Sequence, residues 1–190
     1  MIVYTTAADD GDLLGILALQ RRNLPENLEL SEIQSQGFVT VVHPVDVLQS
    51  MNRIERSVIA KDNDRVVAYL LAMTSASRYE LPVLVPMFTV FENILLHGKP
   101  LASYNYIVVG QVCVDKDYRG QGVLDKCYAF YTTCFSEKYD FAVTEIASSN
   151  LRSIRAHLRI GFKAIHEYTA PDGESWTIVV LVWNDLQRVD

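Results

Sequence analysis

The sequence "YRGQG", residues 118–122, places an arginine and two glycines where a helix should begin. The apolar "VCV" before it is typical of a strand, and the apolar residues after it recur every three to four positions, as in a helix. The start of a helix exposes unpaired N–H groups and the positive end of the helix dipole, and glycines let a ligand approach the backbone closely. Arg119, Gly120 and Gly122 therefore form a candidate anion site. The alternative is an ordinary helix start in which the glycines only turn the chain.

Two further residues, Glu145 and Cys113, have side chains of types that take part in catalysis. Glu145 is the one acidic residue in the strand-like segment "FAVTEIAS", so its carboxylate must face solvent, a partner or a cleft. Cys113 is a possible nucleophile, but the sequence places no histidine beside it to activate the thiol. We therefore expect Cys113 to be a buried structural cysteine.

The composition excludes several classes of protein. A net charge of −6 argues against a general nucleic-acid binder, whose phosphate contacts need a basic surface. The chain has no apolar run long enough to span a membrane, and its start has no basic segment of the kind found in signal peptides. Its three cysteines lack a metal-binding spacing, which is typical of reduced thiols and predicts a cytoplasmic protein.

The predicted elements place the candidate residues in a mixed α/β sheet. A short first strand precedes a helix capped by Asp9 or Asp10 and a second helix that runs from a cap at Asp46 to Arg53, with a helical piece near residues 31–34 between them. Later strands and helices alternate, and the chain ends in a hairpin around "PDGES". The order β-α-α-β-β-(α)-β-α-β-α-β-β predicts an α/β (α+β) fold with one domain over residues 1–190.

Two motifs in this order resemble the GCN5-related N-acetyltransferase (GNAT) superfamily. The first is Val114 followed by "DKDYRGQGVL", which corresponds to the acetyl-coenzyme A motif of the family. The second begins at Asn150, continues through Ser153 and His157, and ends with the Gly-Phe pair at residues 161–162. Both motifs at this spacing, in a chain with a matching order of elements, are more specific than either motif alone.

The resemblance implies that the glycine turn binds the pyrophosphate of coenzyme A. It also implies that the backbone of the "VCV" strand pairs with the pantetheine arm and that Asn150 bonds the pantetheine amides. Asn150 is also, by residue type alone, a good N-cap for the helix that it opens. The sequence departs from the family at Leu124, where a glycine or alanine is usual. The implied cofactor-binding residues are Val112, Cys113, Val114, Arg119, Gly120, Gln121, Gly122, Val123, Leu124, Asn150 and Ser153.

The resemblance also points to Glu145 and His157 as catalytic residues. Glu145 precedes Asn150 at a position where some members, among them ribosomal-protein alanine acetyltransferases, carry the general base. The alternative for Glu145 is a carboxylate that faces solvent at a sheet edge. His157 stands where the family usually has the tyrosine that protonates the leaving thiolate, and a histidine can donate a proton near neutral pH. The alternative for His157 is a helix residue with no catalytic role.

The fold implied by the resemblance is a mixed sheet of six or seven strands, flanked by helices and with splayed central strands. The implied activity is direct transfer of an acetyl group from acetyl-coenzyme A to a primary amine of a small molecule or peptide, with no metal, nucleic-acid or membrane partner. A homodimer is left open. Two alternatives are a catalytically silent acyl-coenzyme A-binding module and an interaction protein that has lost the ligand. The acceptor is not identified by the sequence, and we expect residues 34–53 and 75–102 to select it, because loops carry specificity on a fixed scaffold.

Overall fold

The computed structural model describes residues 1–27, 39 and 41–183 of the 190-residue chain. The helical piece expected near residues 31–34 lies outside the described residues. The described helices are α1 (Asp10–Arg22), α2 (Val45–Ile54), α3 (Val85–Asn93), α4 (Val123–Phe135) and α5 (Leu151–Ile160). The described strands are β1 (Ile2–Thr6), β2 (Val58–Asp62), β3 (Arg65–Met73), β4 (Leu95–Leu96), β5 (Lys99–Pro100), β6 (Tyr106–Val114), β7 (Phe141–Ala147), β8 (Lys163–Thr169) and β9 (Ser175–Val182).

Seven of these strands form one mixed sheet in the order β1-β2-β3-β6-β7-β9-β8, and β4 and β5 form a separate hairpin. The pairs β1–β2, β2–β3, β7–β9 and β8–β9 are antiparallel, whereas β6 and β7 are parallel. The parallel ladder covers three residue pairs, from Tyr106 with Phe141 to Val108 with Val143, so only the first third of β6 takes part in it. The mixed seven-stranded sheet confirms the fold class predicted from the sequence.

The chain divides into two compact units. The first consists of Met1–Met73 and Val109–Cys134, and the second of Thr74–Val108 and Phe135–Asp190. The first unit holds β1 to β3, the later part of β6, and helices α1, α2 and α4. The second holds α3, the β4–β5 hairpin, the start of β6, and β7, α5, β8 and β9. The single domain expected from the sequence stays a prediction.

Local sequence signals predict the start of α1 correctly and the start of α2 incorrectly. The Asp9 carboxylate accepts a hydrogen bond from the Asp12 amide at 3.0 Å, so Asp9 is the N-cap of α1 as predicted. The apolar residues Leu13, Ile16 and Leu17 of α1 recur at helical spacing and are buried. The prediction of Asp46 as the cap of α2 is wrong, because the N-cap position is Pro44 and Asp46 lies within the first helical turn. An acidic residue in that turn still interacts favourably with the helix dipole.

Burial along the strands separates the centre of the sheet from its edge. Residues 66–73 of β3 are all buried, which is expected of an inner strand whose two faces are both covered. Strand β8 is mostly exposed and lies at the sheet edge. In the first unit, a Cβ at Gly110 would lie 3.4 Å from the Met73 side chain, and the Asp115 amide donates to the Val67 carbonyl at 2.8 Å. These contacts show that β6 runs antiparallel to β3.

A buried network of polar side chains crosses the first unit. The Gln20 amide nitrogen donates to His43 Nδ1 at 2.8 Å and to Gln111 Oε1 at 2.6 Å, and Gln20 Oε1 accepts from the His43 backbone amide. The Tyr69 hydroxyl also donates to Gln111 Oε1, and the Gln111 amide donates to the Val41 carbonyl. Because His43 Nδ1 is an acceptor, the imidazole is neutral, and burial lowers its pKa to about 4.

We predict that Asp9→Ala lowers the free energy of unfolding by about 1 kcal/mol, because the Asp12 amide loses its acceptor. Asp46→Ala is the matched control, since Asp46 is also acidic and at a helix start but caps no amide. Urea denaturation of both variants measures the difference. Equal losses in the two variants would contradict the assignment of the cap.

We predict that burial of His43 makes the protein less stable in mild acid. Its folded pKa of about 4 lies below the ordinary 6.5, so its contribution is complete above pH 6.5 and is lost as the pH falls towards 4. Between pH 7 and pH 5 the free energy of unfolding should fall by about 1–2 kcal/mol through this residue. In urea denaturation at both pH values, His43→Gln should reduce the difference. The exposed-histidine variant His97→Asn should leave it unchanged, and a pH dependence of stability that is the same in His43→Gln and the unaltered protein would disprove the assignment.

Candidate functional site

The glycine turn of the first unit has the backbone conformation of a ligand cradle. Gly120 and Gly122 have φ of 73° and 74°, in the left-handed region where other residues are strained, and α4 begins at the next residue, Val123. A Cβ built on either glycine would meet no atom within 4 Å, so the space beside the backbone is open. The first amides of a helix have no partner within it. The turn therefore offers open space next to amides that can bind an anion.

Arg119 holds this turn in place. Its Nε donates to the Val114 carbonyl at 2.9 Å, and its Nη2 donates to Asn23 Oδ1 at 2.7 Å. The guanidinium thus ties the turn to the end of β6 and to the residue that follows α1. Its partners are neutral, and among the described residues it forms no ion pair, so its positive charge adds to the field at the turn. The side chain of Gln121 is exposed and donates to the Asp117 carbonyl.

Asp115 is a second anchor of the turn, and sequence reasoning missed it. Asp115 is 5% exposed. Its Oδ2 accepts from Arg22 at 3.1 Å and from Arg65 at 2.5 Å, while its Oδ1 accepts from the Asp117 amide. A buried carboxylate needs such partners, because removing an ion from water is costly. The arginines lie 93 and 50 residues away along the chain, so no local pattern indicates the cluster.

The strand before the turn matches its predicted character. Cys113 is buried, and burial raises the pKa of its thiol to about 12. A thiol with that pKa is protonated at neutral pH and is a poor nucleophile. These properties support the expectation of a structural cysteine. Val112, Val114 and Leu124 are half-buried, and Val123 is buried in the first turn of α4.

In the second unit, Asn150 and Ser153 shape the start of α5. Asn150 Oδ1 accepts from the Ser153 amide at 3.1 Å, so Asn150 caps the helix as the sequence suggested. The helix ends at Gly161, whose φ of 118° closes it in the left-handed conformation. Since capping uses only the oxygen of the Asn150 side chain, its amide nitrogen remains available as a donor.

His157 lies in the interior of the second unit. It is 2% exposed, its Nδ1 lies 2.8 Å from the Ser153 carbonyl oxygen, and its ring packs edge-on against Phe162 at 5.1 Å between centroids. Because a carbonyl only accepts, Nδ1 carries a proton in this contact. Burial lowers the pKa of His157 to about 4, so the imidazole is neutral at pH 7. These contacts favour the second of the two roles considered for His157, a histidine that packs its helix.

Glu145 lies on β7 of the same unit, and its carboxylate is largely removed from water. Burial raises its pKa to about 7, although the hydroxyl of Tyr168 on β8 donates to Oε2 at 2.5 Å and opposes that rise. An acid of this pKa exchanges protons readily at neutral pH, which suits a general base. Tyr168 was not anticipated from the sequence, because β9 lies between the strands of the two residues and no local pattern relates them.

The candidate residues therefore occur in two groups. The first unit contains the "VCV" strand and the glycine turn, and the second contains Glu145, Asn150, Ser153 and His157. The described side chains form no cluster of three or more residues that could hold a metal ion. Among the described helices, none combines the length and the apolar composition required to cross a membrane.

Comparison with known proteins identifies the family. The sequence matches the acetyltransferase (GNAT) family over residues 27–162, and no curated protein matches the chain. The fold is similar to that of the ribosomal-protein-S18-alanine N-acetyltransferase from Escherichia coli, at 14% identity over 100% of this chain and 99% of that chain, with a TM-score of 0.63. It is also similar to yncA from Salmonella typhimurium solved with acetyl-CoA (14% identity, 100% and 98% covered, TM-score 0.62) and to Ard1 from Thermoplasma volcanium (13% identity, 97% and 99% covered, TM-score 0.62). The likeness to these structures shows the fold, and because the family match spans more than half of the sequence, the chain belongs to the acetyltransferase (GNAT) family.

Proposed function

We propose that this chain transfers an acetyl group from acetyl-CoA directly to a primary amine, with Glu145 as the general base. The observation that carries the assignment of the base is the partly buried carboxylate on β7, whose pKa of about 7 lies close to neutral pH. Membership of the acetyltransferase family supports the reaction class. The chemical identity of the amine is left open.

The residues of the glycine turn fit the cofactor. Both glycines leave open space where a side chain would otherwise stand, and the start of α4 favours a negatively charged group such as a pyrophosphate. When bound, acetyl-CoA supplies an acetyl group activated as a thioester. The residues proposed to hold it are those implied by the family motifs: Val112, Cys113, Val114, Arg119, Gly120, Gln121, Gly122, Val123, Leu124, Asn150 and Ser153.

The work proposed for Glu145 is removal of a proton from the acceptor. An ammonium group has no lone pair, so it must lose a proton before its nitrogen can attack. One N–H bond breaks, the proton passes to a carboxylate oxygen of Glu145, and the electron pair remains on the nitrogen. At pH 7 both the ionised and the protonated carboxylate are populated, since the pKa of the group is about 7.

In this proposal His157 stabilises α5 rather than acting as an acid. Its neutral ring is held by the Ser153 carbonyl and by packing against Phe162. A separate proton donor is a modest requirement, because a thiol with an ordinary pKa of about 8.5 is already a fair leaving group.

We predict that Gly122→Glu abolishes coenzyme A binding. The new side chain would enter the open space at the turn, and its carboxylate would repel a pyrophosphate. Isothermal titration with coenzyme A measures the effect.

Gly173→Glu is the matched control for this variant. Gly173 also has a positive φ, 90°, and a Cβ there would meet no atom within 4 Å, but it lies in the turn between β8 and β9. The two variants introduce the same charge and a similar backbone strain. Retained binding in folded Gly122→Glu would refute the assignment of the cradle.

We predict that Glu145→Gln lowers kcat by about 10²–10⁴, the usual contribution of general acid–base catalysis, with little change in coenzyme A affinity. In the unaltered protein, kcat/KM should rise with pH through about 7, as Glu145 loses its proton, and this limb should be absent from the variant. Thiol release from acetyl-CoA, measured with a panel of amines over a range of pH, tests both expectations.

Two outcomes of that assay would contradict the proposal. Full activity in Glu145→Gln with a saturating acceptor would remove Glu145 as the base. Coenzyme A binding without thiol release for any amine in the unaltered protein would favour the silent acyl-CoA-binding module.

A further inference from the structure

The phenol of Tyr168 reaches the Glu145 carboxylate across an intervening strand. Glu145 pairs with Ile178 of β9, and Ile178 pairs in turn with His166 of β8. Tyr168 lies two residues beyond His166 and therefore projects from the same face of the sheet. The hydroxyl of Tyr168 donates to Glu145 Oε2 at 2.5 Å.

We propose that Tyr168 is a positioning residue for the proposed acetyl transfer: it holds Oε2 of Glu145, leaves Oε1 as the atom that accepts the proton, and thereby sets the lower pH limit of activity. The inference rests on the proposed function of Glu145 as the general base. Tyr168 itself touches neither substrate nor cofactor in this role.

The hydrogen bonds of the carboxylate support these different roles for its two oxygens. Glu145 Oε2 accepts from Tyr168, whereas Oε1 has no hydrogen-bond partner among the described residues. An ionised carboxylate only accepts, and a phenol donates at neutral pH because its ordinary pKa is about 10. The Tyr168 hydroxyl is therefore a fixed donor that favours the ionised carboxylate and restricts its rotation.

Burial and the hydrogen bond act on Glu145 in opposite directions. Burial, the larger effect, raises the pKa of Glu145, and the Tyr168 hydroxyl lowers it. Burial, and after it the same contact, raises the pKa of Tyr168, so the phenol keeps its proton and remains a donor over the working pH range. Without Tyr168, the opposing effect disappears and the carboxylate should hold its proton to higher pH.

Among the described residues of β7 and of the β8–β9 hairpin, few other charged groups near this pair can account for a pH effect. Strand β9 places Ile178 opposite Glu145, with Thr177 and Val179 on either side of it, and none of these residues titrates in this range. Besides Tyr168, β8 contributes His166 on the same face, and the turn between β8 and β9 contributes Asp172, whose charge acts on Tyr168. The neighbours of Glu145 on β7, Thr144 and Ile146, are uncharged.

The test compares the unaltered protein with Tyr168→Phe, which removes one hydroxyl and keeps the ring. Carbon-13 NMR of labelled glutamate carboxylates gives the pKa of Glu145 directly, and the signal missing from Glu145→Gln identifies it. Loss of a hydrogen bond to a charged group should raise this pKa by about one to two units. The acid limb of kcat/KM should move upward by the same amount.

Thr169→Val is the matched control. Thr169 is the next residue of β8, and its hydroxyl lies 3.3 Å from that of Ser175 in the same hairpin. Loss of the Thr169 hydroxyl tests whether any change in this hairpin shifts the pKa of Glu145. Neither the NMR titration of Glu145 nor the pH profile of kcat/KM should change.

The two readouts separate the inference from the function on which it rests. An unchanged Glu145 titration in folded Tyr168→Phe, or an equal shift in Thr169→Val, would overturn the positioning role. If Tyr168→Phe raises the pKa of Glu145 but leaves the acid limb of kcat/KM unchanged, the hydrogen bond of Tyr168 to the carboxylate is supported and Glu145 is overturned as the base. Matching shifts in both readouts support the role of Tyr168 and the role of Glu145 together.

Discussion

The ion cluster around Asp115 is the interaction on which the glycine turn depends. This carboxylate lies at the end of β6, where it joins Arg22 at the end of α1 to Arg65 at the start of β3. Its backbone amide bonds β3, and its side chain also caps the short helical turn that precedes the glycines. Several charged contacts converge on one buried group, so the position of the turn is fixed by long-range partners rather than by the glycines themselves. The glycines supply the conformation, and Asp115 and Arg119 supply the location.

Burial shifts the pKa values of two residues of the second unit in opposite directions, for one physical reason. Removing a charge from water disfavours the ionised form of any group. Glu145 therefore holds its proton to about pH 7, while His157 stays neutral down to about pH 4. The carboxylate therefore exchanges protons near neutrality, whereas the buried histidine carries no charge at pH 7. Residue type alone would have assigned them the reverse, because histidine ordinarily titrates close to neutral pH and glutamate well below it.

The local elements were predictable where the signal was short-range. The apolar face of α1 follows from residue spacing, and Gly161 ends α5 through a backbone conformation that glycine adopts easily. The prediction failed at Asp46, where a local cap signal was present but the N-cap position is Pro44, two residues earlier. Capping depends on one side-chain oxygen meeting one amide, so a shift of two residues removes it.

The sequence by itself determined the order of the five described helices and of the seven strands of the main sheet, and the residues of the glycine turn, because spacing, turn residues and backbone preferences act over a few positions. It did not predict the β4–β5 hairpin. Only the tertiary structure decided which side chains meet. Asp115 finds arginines 50 and 93 residues away, and Glu145 meets Tyr168 across a strand. It also decided the protonation of Glu145 and His157, since a pKa depends on burial and on partners that packing brings together from distant parts of the chain.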